Sequence, residues 1–299
     1  MSILVVGSVA LDSVRTPFGE VEEVLGGSAT YFSVAASFFS PVRVVAVVGE
    51  DFPAEHLDFL GSRGVDIGGL RRVPGRTFRW RGFYDYDLNE AHTLDTQLNV
   101  FEEFDPEIPE EYRDSEFVFL ANIDPTLQLK VLEQVRSPRL TICDTMNFWI
   151  ENKRSELMEI IKRVDCLLLN DSEARQLAEE PNLIAAGRRL QSTGPRRVII
   201  KKGEHGVIML GENSYFSLPA YPLETVFDPT GAGDSFGGGF LGAISREPDL
   251  TEDAVRRAVV YGSVVASFAV ESFSCDRLRT LSGEEIKARY DEFMEITCF

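Results

Sequence analysis

Histidine and cysteine are both scarce in this chain: His56, His92 and His205, with Cys143, Cys166, Cys275 and Cys298, are the whole supply in 299 residues. The cysteines are widely spaced, with no CxxC pair and no histidine cluster beside them. That argues against a structural zinc site and for reduced, mostly buried thiols. No apolar run approaches the roughly 18 residues of a membrane span. The opening MSILVVGSVALDSVRTPFGEVEE turns charged early and has no basic segment ahead of an apolar one, so no signal peptide is expected and a cytoplasmic location is. Basic residues are in deficit, 30 against 48 acidic, giving a net charge of −18. A field of that sign disfavours nucleic acid and anionic membrane as partners. Any anionic substrate must then rely on a locally arranged site. Two phosphate-binding fingerprints are missing as well. No Gly-Lys-Ser/Thr closes a Walker A loop, and VGSVALD at 6–12 lacks the GxGxxG of a dinucleotide-binding turn, which disfavours a dehydrogenase.

What is present is the composition of a soluble globular protein, 44% hydrophobic and 26% charged. The length favours one large domain over residues 1–299. Short apolar runs predict buried strands at 3–9, 42–49, 117–121, 140–143, 166–170 and 197–203. Helical patterns at 29–39, 53–63, 126–136, 153–163, 172–180 and 183–192 lie between or beside them. Strand, helix, strand at this spacing means βαβ units and a mainly parallel sheet. A hairpin is predicted over 206–218 with its turn at Gly211–Asn213, then helices over 251–270 and 282–295, the second opened by a Ser282–Glu285 capping box. One region breaks the rhythm. RTFRWRGFYDYDLNEAHTLDT at 76–96 alternates aromatic and polar residues, which together with 13–24 predicts a small β lid. An edge hairpin without catalytic duty is the other reading. Exposed lid strands are also edges that a second copy of the chain could cover, which would make a homodimer.

FDPTGAGDSFGGGF at 227–240 crowds Gly231, Gly233, Gly237, Gly238 and Gly239 into one short stretch. Each glycine inside a helix costs about 0.5–1 kcal/mol relative to alanine, so the backbone must need to lie close to a helix, a turn or an anion. Strand end, tight turn and helix start would aim the amides from Thr230 through Gly233 at one volume and create an anion site. Asp234 is then either a first-turn carboxylate favouring the helix dipole or a general base beside a transferring phosphoryl group.

DPTGAGDSFGGGFLGAI at 228–244 resembles the C-terminal signature of the ribokinase-like carbohydrate kinases, also called the phosphofructokinase-B family. VGSVALDSV at 6–14, LGGSATYFSVAAS at 25–37 and VGEDFPAEHLDFLGSRGVD at 48–66 extend the resemblance over nearly the whole chain. It implies a three-layer α/β/α Rossmann-like sandwich with a small β-sheet lid. The implied activity is transfer of the γ-phosphate of ATP, with Mg²⁺, to a hydroxyl of a sugar or nucleoside. By matching motif, Asp234 is the catalytic base and the amides of Gly231, Ala232 and Gly233 are its anion hole. Asp228 and Thr230 stand where many relatives hold a monovalent cation such as K⁺. Asn170 and Glu173 match the family's NxxE motif, tied to Mg²⁺ through water, although the same pair reads as an ordinary helix cap. KKGEHG at 201–206 resembles the nucleotide-binding turn, with Lys201, Gly203 and Gly206 near the ATP phosphates or ribose. The 259–268 segment, including Ser263, falls where relatives wall the adenine, though helix packing explains its small side chains equally well.

For the acceptor, Asp12 corresponds to the aspartate that binds substrate hydroxyls, and Gly26 and Gly27 to a double glycine beside the substrate. Ribokinase-type GGKGAN becomes GGSATY here, with Ser28 and Tyr31 replacing lysine and asparagine. That implies a less polar acceptor or stacking against a ring. Asp144 and Asn147, at the end of a parallel strand, are further candidates. The acceptor expected first is a sugar or related polyol, with a nucleoside as the alternative. A catalytically inactive ligand-binding protein on this fold would have lost the base that Asp234 retains.

Overall fold

The computed structural model describes residues 2–212 and 214–298, so Asn213 of the expected turn lies outside the described residues. The chain opens with β1 (Ile3–Val6), β2 (Ala10–Thr16), β3 (Gly19–Gly26), α1 (Ser28–Ala36), β4 (Val42–Gly49), α2 (Ala54–Ser62) and β5 (Val65–Val73). There follow β6 (Arg79–Tyr84), β7 (Ala91–Gln97), β8 (Phe117–Leu120), α3 (Pro125–Gln134), β9 (Leu140–Asp144), α4 (Asn147–Asn152) and α5 (Arg154–Ile161). Next come β10 (Cys166–Asn170), α6 (Asp171–Ala178), α7 (Leu183–Gln191), β11 (Arg197–Lys201), β12 (Val207–Leu210) and β13 (Tyr215–Leu218). The chain closes with α8 (Ala232–Ile244), α9 (Glu252–Ala269), α10 (Asp276–Thr280) and α11 (Gly283–Ile296).

Among the described residues, nine strands form one sheet in the order β13-β12-β11-β10-β9-β8-β1-β4-β5. From β5 to β11 every pairing is parallel, and β12 and β13 finish the edge as an antiparallel hairpin. Parallel strands need both faces covered, and successive residues divide accordingly. Ile3 and Val5, Val42 and Val44, Phe117 and Phe119 join the core under α1, α8 and α9. Leu4 and Val6, Val45 and Val47, Val118 and Leu120 face the opposite core with Val131 of α3 and Ile160 of α5. Under α6 and α7 that second layer continues with Leu167, Leu169, Val198 and Ile200. The architecture is the expected three-layer α/β/α sandwich. Cys143, Cys166 and Cys275 are buried free thiols, and Cys298 is exposed. Among the described residues no helix is long and apolar enough to cross a membrane.

β5 escaped the sequence reading. VDIGGLRRV carries two adjacent glycines and two arginines, because it is an edge strand with a register shift against β4 and only part of one face buried.

The lid strands form a second sheet, in the order β3-β2-β6-β7. β2 starts only three residues after β1 ends, so the first buried run feeds directly from one sheet into the other. At the lid's base Arg79 pairs with Glu23 of β3 at 2.6 Å and with Asp51, after β4, at 2.8 Å. Asp51 also accepts bonds from the backbone and hydroxyl of Thr77.

The late glycines of α8 serve packing. A Cβ on Gly238 would lie 2.4 Å from the Phe32 carbonyl oxygen of α1, one on Gly237 would lie 2.8 Å from the Phe119 ring, and one on Gly239 would lie 3.0 Å from the Tyr261 carbonyl of α9. Helix backbones therefore meet where side chains would hold them apart. Gly238→Ala should destabilise the protein by about 1–3 kcal/mol, the scale of overpacking against an unyielding neighbour. Gly61→Ala in α2, where a Cβ meets nothing within 4 Å, should be neutral or stabilising by up to about 1 kcal/mol. Urea midpoints of the two variants check the contrast.

Candidate active site

The site lies at the carboxyl ends of the parallel strands. β9, β10 and β11 end on Asp144, Asn170 and Lys201. Asn170 and Lys201 are direct register partners. The start of α8 faces them. Gly231 is its N-cap in the left-handed region, φ 74°, and the side a Cβ would occupy is filled by the Tyr31 ring at 2.3 Å.

Two of the amides expected to stay open are engaged. Thr230 N–H donates to Asp228 Oδ1 at 2.9 Å, and Ala232 N–H donates to the Pro229 carbonyl at 3.1 Å. Pro229 starts a tight turn, and that turn takes the Ala232 amide out of the expected anion hole. Gly231 and Gly233 have no such backbone acceptor among the described residues.

Asp234 follows in the first turn and is partly exposed. Burial raises its pKa to about 8, the Asp144 carboxylate adds to the rise, Lys201 opposes it, and Asp12 raises it further. The field of Asp12 reaches Asp234, so the two carboxylates border one region. Asp12 sits on β2 with its carboxylate against the Gly26–Gly27 backbone. A Cβ on Gly26 would fall 1.9 Å from Asp12 Oδ2, and Gly27 N–H donates to that oxygen at 3.3 Å. Gly27 itself has φ 96°. Gly26 is therefore required by the approach of Asp12, and Gly27 by its positive φ and by the Ser8 carbonyl oxygen, 2.5 Å from where its Cβ would stand. Burial lifts the Asp12 pKa to about 7, with the Gly27 amide opposing and Asp228 adding.

Lys201 Nζ lies 3.2 Å and 3.3 Å from the two carboxylate oxygens of Asp144. Burial lowers the Lys201 pKa, but Asp144, Glu173 and Asp234 outweigh it and the ammonium is held charged. Glu173 and Asn170 form a complete capping box: Asn170 N–H donates to Glu173 Oε2 at 2.7 Å and Glu173 N–H to Asn170 Oδ1 at 2.8 Å. Burial pushes the Glu173 pKa to about 7. Asp228 is 1% exposed, and its Oδ2 makes no hydrogen bond of ordinary geometry.

Several expected site residues carry scaffold duties, and for Tyr31 that duty rules out the expected stacking. Tyr31 is 1% exposed and packs beneath Gly231, so it supports the turn and offers no face for stacking on an acceptor. Ser28 is buried with its hydroxyl 3.1 Å from that of Ser8, while Ser28 N–H donates to Ser8 Oγ, an exchange that fastens α1 to the β1–β2 turn. Gly206, φ 82°, is demanded by the Leu218 carbonyl of β13, 2.1 Å from where its Cβ would stand. Gly203, φ 52°, has lid residue Asn89 beside it. Asn147 is exposed at the start of α4, and Ser263 is partly exposed on α9. Neither side chain hydrogen bonds to the carboxylate cluster among the described residues.

The lid supplies a contact that sequence reasoning missed. Thr230 Oγ1 donates to the Tyr84 hydroxyl of β6 at 3.3 Å, and Tyr84 sits in the field of Asp228, Asp12 and Asp234. Aromatic richness marked the segment, but alternation could not say which ring turns inward. The Asp144–Lys201 pair was equally hidden, since both residues looked like independent strand ends.

Among the described residues, the nine-stranded α/β/α sandwich with its four-stranded lid defines a ribokinase-like fold. The chain belongs to the pfkB family of carbohydrate kinases, whose model matches residues 2–279. It is 32% identical over 258 residues to the cytidine kinase of Thermococcus kodakarensis, covering 84% of this chain and 91% of that protein. The crystal structure of Methanocaldococcus jannaschii nucleoside kinase superposes with a TM-score of 0.78 at 22% identity, over 97% of this chain and 98% of that one. A putative ribokinase II from E. coli in complex with ATP and Mg²⁺ gives a TM-score of 0.81 at 18% identity, over 97% and 99%.

The raised carboxylates set a pH dependence. Asp12, Glu173 and Asp234 bind protons more tightly folded than unfolded. The native state therefore holds more protons across the window from about pH 4 to pH 8, and stability falls as pH rises through it. In the ligand-free protein Asp234→Asn should flatten that decline, giving a larger gain in Tm over wild type at pH 8 than at pH 5. Thermal melts at the two values check this.

Proposed function

We propose that the protein transfers the γ-phosphoryl group of ATP to a hydroxyl of a nucleoside, with Asp234 as general base. The observation that supports this reading is that the field of Asp12 reaches Asp234 in the first turn of α8. One is a buried carboxylate suited to accept hydrogen bonds from a diol. The other has its basicity raised toward neutral pH, where a general base works best. The residues alone put a sugar or polyol first. Similarity to a cytidine kinase supports a nucleoside, and the lid ring of Tyr84, turned toward Thr230, suits a flat base. The family's own description and the E. coli relative keep a sugar as the second reading.

In this mechanism Asp12 orients the acceptor and Asp234 takes the proton from its reacting hydroxyl. The acceptor oxygen forms a bond to phosphorus as the bond to the departing nucleotide breaks. The Gly231 and Gly233 amides face the negative charge spread over the phosphoryl oxygens. The lid excludes water, which would otherwise compete as acceptor. Asn170 and Glu173 would hold Mg²⁺ through water. One Glu173 oxygen is used by the cap, the other remains for such a water, and oxygen donors suit that ion. Bound Mg²⁺ would neutralise phosphate charge. The buried Asp228 Oδ2, which makes no hydrogen bond of ordinary geometry among the described residues, fits a monovalent cation, with Thr230 beside it.

Asp234→Asn should keep the fold and nucleotide affinity while turnover falls by at least ~10²-fold, the scale of general-base assistance. Assaying wild type and variant with ATP against a panel of nucleosides and sugars tests both base and acceptor. Near-normal turnover in the variant would refute the base assignment, and turnover confined to sugars would refute the nucleoside. Replacing K⁺ by tetramethylammonium should depress wild-type turnover several-fold and leave Asp228→Asn insensitive to the exchange. Equal rates of the wild type in the two salts would remove the cation assignment.

A further inference from the structure

Carboxylates dominate the proposed reaction centre. Asp12, Asp144, Glu173, Asp228 and Asp234 all border it, in a chain already carrying −18. An incoming triphosphate is repelled by every one of them that is ionised. With Ala232 N–H committed to Pro229, the helix start offers fewer open amides than its sequence promises. Phosphoryl transfer spreads charge over three equatorial oxygens, so something further must face that charge.

Lys201 is placed to do so. It closes β11, in register with Asn170, and its side chain runs toward the first turn of α8. A Cβ built on Gly233 would lie 2.9 Å from its Nζ, so the ammonium rests directly against the backbone of the first turn of α8. The Lys201 side chain is 18% exposed and that of Asp144 is 5% exposed. Both Asp144 oxygens lie within reach of Nζ, which fixes the ammonium where it stands instead of letting it swing into water.

We propose that Lys201 is a catalytic cation for the transfer, with Asp144 as its positioning residue; the assignment rests on the kinase reading above. Its ammonium donates hydrogen bonds to the non-bridging oxygens of the migrating phosphoryl group while the bond to the nucleotide breaks and the bond to the acceptor oxygen forms. The acceptor proton goes to Asp234, and Lys201 keeps its own. This differs from a ground-state phosphate contact, because the interaction strengthens as charge develops on the group in flight. Gly233 is glycine for the same reason. A side chain there would displace the ammonium.

The test compares Lys201→Met, Lys201→Arg and Asp144→Asn with wild type in the full-length protein. The measurements are kcat, acceptor KM, ATP affinity by calorimetry, and inhibition by ADP with aluminium fluoride and acceptor, a mimic of the planar phosphoryl group. Lys201→Met should lose roughly 10²–10³-fold in kcat, with acceptor KM and ADP affinity within about threefold and the aluminium fluoride complex weakened by a factor similar to the loss in kcat. Lys201→Arg should recover part of the loss, because charge is retained with altered geometry. Asp144→Asn should lose roughly tenfold or more in kcat while retaining the nucleotide. A Lys201→Met enzyme with kcat within threefold of wild type overturns the proposal. So does one that weakens ATP, ADP and the aluminium fluoride complex by equal factors, since that describes ordinary nucleotide binding. A wild-type protein that phosphorylates no nucleoside or sugar would instead refute the kinase reading beneath it. Circular-dichroism melts of each variant separate these outcomes from misfolding.

Discussion

The closeness of α8 to its neighbours governs the rest of this molecule. Without side chains at Gly237, Gly238 and Gly239, the helix settles onto Phe119, the α1 backbone and α9. Its amino end then stands over the ends of β9, β10 and β11, and the Gly231 turn closes on Tyr31. Asp234 and the open amides are where they are because a helix more than half composed of small residues can be pressed that near a sheet. One stretch therefore answers its own compositional puzzle twice. The early glycines serve the turn and the ammonium beside it, and the later ones serve packing.

Charge is the second constraint. Burial raises the proton affinity of Asp12, Glu173 and Asp234, and mutual repulsion adds to it. Desolvation of this kind is costly unless a ligand or counterion compensates it. Within the described structure the compensation is uneven. Lys201 answers Asp144, the Asn170 amide answers Glu173, the Gly27 amide answers Asp12, and one oxygen of Asp228 has no hydrogen-bonding partner. On the proposed function, cations and donors from outside the chain would complete the compensation.

Much of this was legible in the sequence, for identifiable reasons. Strands such as VRVVAVVG announce themselves because a parallel sheet buries both faces, and the GAGD stretch does because glycine spacing is set by backbone approach. The Asn170–Glu173 box was visible because it is local, four residues long and geometrically closed. What stayed hidden depends on distant partners. β5 looks polar because it is an edge. Ser28 looked like a ligand contact until Ser8, twenty residues earlier in the chain, took its hydroxyl. Tyr31 looked like a stacking platform, and the turn at Gly231, two hundred residues later in sequence, covers it. The Tyr84–Thr230 and Lys201–Asp144 contacts likewise join segments whose spacing carries no signal.

The short passage between β1 and β2 has a mechanical consequence. Asp12 belongs to the cover yet hangs on a strand separated from the central sheet by only three residues, with Gly27, the N-cap of α1, bonded to its carboxylate. A ligand bonded to Asp12 would therefore be held close to where the chain passes from the central sheet into the lid. The same flap reaches the far side of the cleft through Tyr84 on Thr230 and Asn89 beside Gly203. The two shores are joined through the parallel pairing of β2 with β6, so a ligand held at Asp12 would meet the same small sheet that reaches Thr230.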